Sequence, residues 1–106
     1  MELTDRYFGP DGTAIDYDEW SRLFELRAQD TALESWWRRQ TRLDDKVEVS
    51  TVWIGLVMST GGPPLIWESM IFGGNHDGDQ WRYASRAEAL DHHENIVRAL
   101  REDREP

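Results

Sequence analysis

Two apolar runs separated by a glycine- and proline-rich loop constrain the fold more than any other feature. Val47 to Met58 crowds Val47, Val49, Thr51, Val52 and Ile54 into twelve positions, and β-branched side chains fit a pleated surface better than a helix. Ser59-Thr60-Gly61-Gly62-Pro63-Pro64 follows, then Leu65 to Phe72. Glycine opens unusual backbone conformations and proline removes a donor N–H, so the intervening stretch is a loop. This pattern predicts adjacent antiparallel strands at Val47–Met58 and Leu65–Phe72. Thr51 to Leu56 is largely apolar on both faces, which puts the first strand in the middle of a sheet. Gly55 within it predicts a bulge or a point of close packing.

The flanking segments supply two helices. Asp16 followed by Glu19 has capping-box spacing, and Trp20, Leu23, Phe24 and Arg27 recur on one helical face, predicting a helix over 17–29. Ser85 and Glu88 repeat the cap, predicting a second helix over 86–102 with a stripe of Ala87, Leu90, Glu94, Val97 and Leu100-Arg101. Residues 30–43 carry both helical and alternating spacing, and a turn followed by a strand at 36–43 is preferred. Trp81-Arg82-Tyr83 reads as a short final strand. Residues 1–14 form an N-terminal segment whose Pro10-Asp11-Gly12 is a turn signal, with Arg6–Phe8 and Thr13–Ile15 placed to pair. Residues 103–106 are expected to be a frayed tail. The sum is one α+β domain over 1–106: a small antiparallel sheet of three to four strands with two helices packed on one face. Trp20, Phe24, Trp53 and Leu90 are the expected core.

Composition then excludes function classes. The chain has 106 residues and no Cys, so disulfides, zinc–thiolate sites and thiol nucleophiles are ruled out, and a reducing cytoplasm is the expected compartment. No secretory leader or membrane-length apolar run is visible in the sequence. Net charge is −9, with 12 acids and 7 bases in residues 1–53 and 9 and 5 in residues 54–106. Charge of that sign opposes binding to phosphate backbones, so nucleic acid is not an expected partner. Six Trp in so short a chain exceed what a core alone needs, and some are expected at a rim or an interface.

Ser50-Thr51-Val52-Trp53-Ile54-Gly55, Gly62-Pro63-Pro64, Trp67-Glu68-Ser69-Met70, Arg82-Tyr83 and Glu88-Ala89-Leu90-Asp91-His92 together resemble a family of small uncharacterised proteins of actinobacteria and their bacteriophages. The likeness spans roughly residues 15–97. Trp67 and Ser69 stand where relatives usually have Phe and Thr, and Val57-Met58 where they often have Asp-His. The resemblance implies a phage or prophage accessory protein and carries no activity with it.

Four side chains are singled out as binding candidates: Glu68, Trp67, Arg82 and His92. Glu68 lies among apolar neighbours, so a core-facing orientation would require a partner, for which Arg82 is placed. An outward orientation would make it an ordinary strand residue. His92 stands four residues after Glu88, a spacing that suits a metal or a proton transfer; a solvated helix face is the preferred reading for His92-His93. Asn75-His76-Asp77-Gly78-Asp79 departs from a calcium loop and is read as a polar turn. The Gly-Gly-Pro-Pro loop lacks the Lys-Ser/Thr of a phosphate cradle. No catalytic residue, metal or cofactor is assigned. The expected function is non-enzymatic contact with a host protein or a second copy, as a homodimer. The rival readings are a small enzyme using Glu68 with a histidine, and an acidic decoy of a nucleic-acid-binding protein.

Overall fold

A computed structural model describes residues 6–57 and 62–106; the expectations for residues 1–5, for Met58 and for the loop at 59–61 fall outside the described residues. Tyr7–Phe8 (β1) and Ala14–Ile15 (β2) pair as a two-stranded antiparallel hairpin. Helix α1 covers Tyr17–Gln29, and β3 (Arg38–Arg42), β4 (Glu48–Trp53), β5 (Trp67–Phe72) and β6 (Gln80–Tyr83) follow, before helix α2 at Arg86–Arg101. The four later strands form one antiparallel sheet in the order β3-β4-β5-β6, with β4 and β5 central. The fold is α+β, as the alternation and the caps predict.

Both caps form. Asp16 Oδ1 accepts from the Glu19 N–H at 2.8 Å and Ser85 Oγ from the Glu88 N–H at 3.1 Å, satisfying donors that the first helical turn leaves free. Helix α2 closes with two bonds beyond its last turn, Asp103 N–H to the Leu100 carbonyl (3.2 Å) and Arg104 N–H to the Ala99 carbonyl (2.8 Å), with Asp103 at φ 55°. This pair is a Schellman closure with Asp in the position glycine usually takes, so the tail expected to fray begins with an ordered turn.

Strand residues alternate between two faces of the sheet. Thr41, Val49, Thr51, Trp53, Trp67, Ser69, Ile71 and Tyr83 point to the face that α2 covers; Glu48, Val52, Glu68, Met70 and Arg82 point to the other. Helix α2 lies along the covered face. Helix α1 packs Trp20, Leu23 and Phe24 against the same core at its Trp53 end. Trp20 Nε1–H donates to the Ile54 carbonyl at 3.0 Å, and Arg27 Nη1–H to the Trp53 carbonyl at 2.7 Å. Trp53 is fully buried as expected, whereas Trp20, Phe24 and Leu90 are half-buried.

Strand boundaries and the buried stripe of α2 differ from the sequence reading. Strand β4 stops at Trp53 because Gly55 turns the chain at φ +66°, and both Ile54 and Gly55 donate to the Ile66 carbonyl (2.8 and 3.1 Å). A Cβ on Gly55 would stand 2.5 Å from the Trp53 ring and 2.6 Å from the Phe8 carbonyl oxygen, so only glycine fits this close approach. Strand β3 starts at Arg38, since Ser35 N–H already bonds the Arg38 carbonyl in a tight turn (2.9 Å). The core stripe of α2 is Ala89, His93, Ile96 and Val97, with Leu100 packed beside it; Ala87 and Glu94, expected on that stripe, are exposed.

Candidate functional site

The four singled-out residues do not come together. Trp67 is fully buried and donates its Nε1–H to the Pro10 carbonyl at 3.3 Å, so it anchors the β1–β2 hairpin and offers nothing to a ligand. Glu68 and Arg82 are directly opposite in register and form an ion pair, Arg82 Nε to Glu68 Oε2 at 3.0 Å. They lie on the open face. His92 lies on α2, across the sheet from both, where its Nδ1 bonds the Tyr83 hydroxyl and its ring meets the Trp81 ring edge-on at 5.2 Å. The sheet itself therefore separates Glu68 from His92 and His93.

The residues that do converge are ones the sequence reading passed over. His93, expected on a solvated face, is fully buried. Its Nε2 is 2.8 Å from Thr41 Oγ1 and its Nδ1 is 2.7 Å from Thr51 Oγ1. Thr51 Oγ1 is in turn 2.6 Å from Ser69 Oγ. Thr41, His93, Thr51 and Ser69 thus form one chain under α2 that crosses β3, β4 and β5, and Tyr83 of β6 forms a separate pair with His92 beside it. Among the described residues no buried side-chain nitrogen or oxygen lacks a partner. A buried polar network is tolerable only when every member is satisfied.

Burial decides the charge states here. Removal from water pushes the His93 imidazole down to about 4, and it lowers His92 as well; the same cause raises the Tyr83 phenol. All three stay neutral near pH 7. Glu94 and Glu34 work against this shift in His93 and Arg39 works with it, because the Arg39 guanidinium sits between those two carboxylates, 2.6 Å from Glu34 and 2.9 Å from Glu94.

A second group of residues gathers at the mouth of β3. The loop of residues 30–37 presents Leu33 and Trp36 to solvent, 60% and 49% exposed. It is fastened from two directions. Arg38 donates to the carbonyls of Arg27 (2.7 Å), Ala32 (3.2 Å) and Asp30. Arg86, at the start of α2, lies 4.6 Å over the Trp36 ring and donates to the Trp36 carbonyl at 3.3 Å. The high Trp content was the available signal for an exposed aromatic; which Trp it would be depended on these arginine contacts.

A cleft of about 680 Å³ opens between the β3–β4 turn, the β5–β6 loop and the end of α2, floored by Leu43, Val47 and Leu100. His76 borders it, 3.4 Å from Asp79 and 3.9 Å from Glu105. Among the described residues no three His, Asp or Glu side chains converge where a metal ion would sit, and no helix is long and apolar enough to cross a membrane. No protein-family model, curated protein or solved structure matches the chain.

Proposed function

We propose that this protein acts by protein contact, with Trp36 as the anchor of the contact surface. The observation that carries this reading is a half-exposed indole held in one place: Arg86 stacks on it and Arg38 fixes the loop behind it. Trp and Arg dominate binding energy at interfaces, and an anchor already fixed before binding loses little freedom on association. Leu33 beside it in sequence adds exposed apolar area.

Two rival readings have less support. An enzyme using Glu68 with a histidine requires the two to approach, and the sheet lies between Glu68 and both His92 and His93. An acidic decoy requires a continuous acidic surface, and here Glu19, Glu34, Glu48, Glu68, Glu94 and Glu102 are each engaged by an arginine. The resemblance in the Ser-Thr-Val-Trp strand and the strand that follows supports a phage or prophage setting, with a host protein or a second copy as partner.

The test compares wild type and Trp36→Ala in a pull-down from host cytoplasm, with sedimentation to detect self-association. A protein or a second copy bound by wild type and lost by the variant, with the melting curve unmoved, is the expected outcome. Equal capture by both would remove Trp36 as the anchor, and a chain that stays monomeric and captures nothing would count against contact as the function.

A further inference from the structure

We propose that the cleft between the β3–β4 turn, the β5–β6 loop and the end of α2 binds a small aliphatic carboxylate. Its volume of about 680 Å³ falls in the range of small-molecule sites, roughly 300–1,000 Å³. The apolar lining is aliphatic throughout. Leu43, Val47 and Leu100 are half-buried there and continue the core cluster of Val49, Ile71 and Ile96 outward. They leave apolar surface against water, and an aliphatic tail lying on them removes it.

The walls are set before any ligand arrives. Gly73 takes φ +87°, and a Cβ there would stand 1.7 Å from the Lys46 carbonyl oxygen, so the β5–β6 loop lies directly against the β3–β4 turn. Asp77 Oδ1 accepts from the Gly73 N–H at 2.6 Å, which holds the loop in place. On the opposite wall, the Leu43 N–H donates to the Val47 carbonyl at 2.9 Å. The third wall is the closure of α2, where the Arg104 N–H bonds the Ala99 carbonyl at 2.8 Å. A cleft already fixed in shape loses little freedom when it is filled.

The rim supplies the charge preference. In a chain with 21 acids and 12 bases, a cation is expected to find a carboxylate or a carbonyl. Most do: Arg82 holds Glu68, Arg104 holds Glu102, and Arg27 holds the Trp53 carbonyl. Among the described residues the side chains of Lys46 and Arg101 hold neither, and both line this cleft. Asp44, the acid nearest Lys46 on the rim in sequence, is diverted, because its Oδ1 accepts from the Lys46 and Val47 backbone N–H groups at 2.7 and 2.9 Å. Glu105 leans toward His76 at 3.9 Å. Asp103, at φ 55° in the turn after α2, is the rim carboxylate that opposes an anion. Two unmatched cations above an aliphatic floor fit one carboxylate on an apolar tail. The net charge of −9 works against an anion at long range, so the attraction is local. The cleft lies at the opposite end of α2 from Arg86 and Trp36 and does not depend on the contact surface there.

Titration of the folded protein with sodium octanoate, followed by backbone amide NMR in about 0.15 M salt to screen the long-range field, tests the site. Shifts are expected at Lys46, Val47, Gly74 and Arg101 and not at Trp36. Octanoate should bind at least tenfold more tightly than butanoate, since each fully buried methylene is worth up to about fourfold. Octylammonium, with the same tail and the opposite charge, should bind more weakly than octanoate. The double variant Lys46→Gln, Arg101→Gln should weaken octanoate by roughly three- to tenfold, and Asp103→Asn should tighten it by about twofold. All three changes are of exposed side chains, and an unmoved melting curve verifies that the variants fold. No localised shift with octanoate, or shifts spread over the whole surface, would overturn the proposal. Equal binding of octanoate and octylammonium, or an affinity for octanoate that the double variant leaves unchanged, would also overturn it, because the site would then not select an anion.

Discussion

The two faces of the sheet are built from the same strands and solve opposite problems. On the face under α2, the buried polar groups are hydroxyls and a neutral imidazole, joined into one network, while Arg39 on the same face pairs at its edge with Glu34 and Glu94. On the open face they are charges, paired as Arg82 with Glu68 and Arg42 with Glu48. Neighbouring residues in one strand differ only in which way they point, so the contrast isolates the effect of water. A charge taken fully out of water costs several kcal/mol, whereas a hydroxyl costs little once its proton and lone pairs are matched. The buried centre of the covered face holds neutral polar groups because they are the ones a buried sheet tolerates.

The largest expected effect is on the covered face. Trp53 is fully buried, packs against Trp37 and Phe24, and donates to the Phe8 carbonyl at 3.0 Å. Trp53→Ala is expected to cost about 3–5 kcal/mol in denaturant unfolding. Val52→Ala, the adjacent residue on the open face, is expected to cost about 1 kcal/mol or less. Equal losses would mean that the open face is as tightly packed as the covered one and that the contrast is false.

The next effect is a pH dependence of stability from His93. Its pKa is about 4 in the folded chain against an ordinary 6.5, a difference worth about 3 kcal/mol. The folded state keeps this imidazole neutral, so the unfolded chain binds the proton first as pH falls. Stability from this group is complete above about 6.5, declines between 6.5 and about 4, and is flat below. His93→Gln should remove that slope, whatever it does to the absolute stability. A wild-type unfolding free energy independent of pH across this window would show that His93 is reached by water.

A third effect separates hydrogen bonding from packing. Thr51→Val preserves shape and deletes the hydroxyl that links His93 to Ser69; the orphaned imidazole nitrogen makes a loss of about 2 kcal/mol the expectation. Val52→Thr adds a hydroxyl on the open face, where water can satisfy it, and should change stability by about 0.5 kcal/mol. A reversed order would place the polar network, and not the ion pairs, on the wetter side.

Much of this fold was legible because local chemistry and tertiary packing agree. Asp16 and Ser85 mark helix starts with side chains that bond their own first turns, a signal contained within four residues. The β4–β5 pairing was visible in two apolar runs, the first crowded with β-branched residues, on either side of a glycine- and proline-rich loop. The buried network was hidden for a physical reason. A histidine counts as polar in a periodicity, so the true stripe of Ala89, His93, Ile96 and Val97 read as broken. Placing His93 inside required knowing that Thr51 and Ser69 lie directly opposite each other across β4 and β5, a register that no single segment specifies. Trp67 illustrates the converse: its motif drew attention as a binding candidate, while its indole serves the carbonyl of Pro10.

The smallest expected effect belongs to the Glu68–Arg82 pair, which the sequence offered for a core-facing Glu68 and which forms on the open face instead. Its two members differ in exposure, 18% for the Glu68 side chain and 45% for Arg82. Water thus screens the guanidinium side while the carboxylate is mostly covered. A pair so placed is worth little more than a surface ion pair, and its coupling in a double-mutant cycle of Glu68→Gln and Arg82→Gln is expected to be about 0.5–1 kcal/mol. Salt should weaken it, since exposed charges are screened within roughly 8–10 Å at physiological ionic strength. The variants also probe the open face as a whole. If Glu68 sat in a dry environment, removing Arg82 alone would strand a buried carboxylate and cost about 3–5 kcal/mol. A single-variant loss of that size would make the open face a second interior, covered in solution by another surface, whereas a loss below about 1 kcal/mol keeps it the solvated side of a two-layer fold.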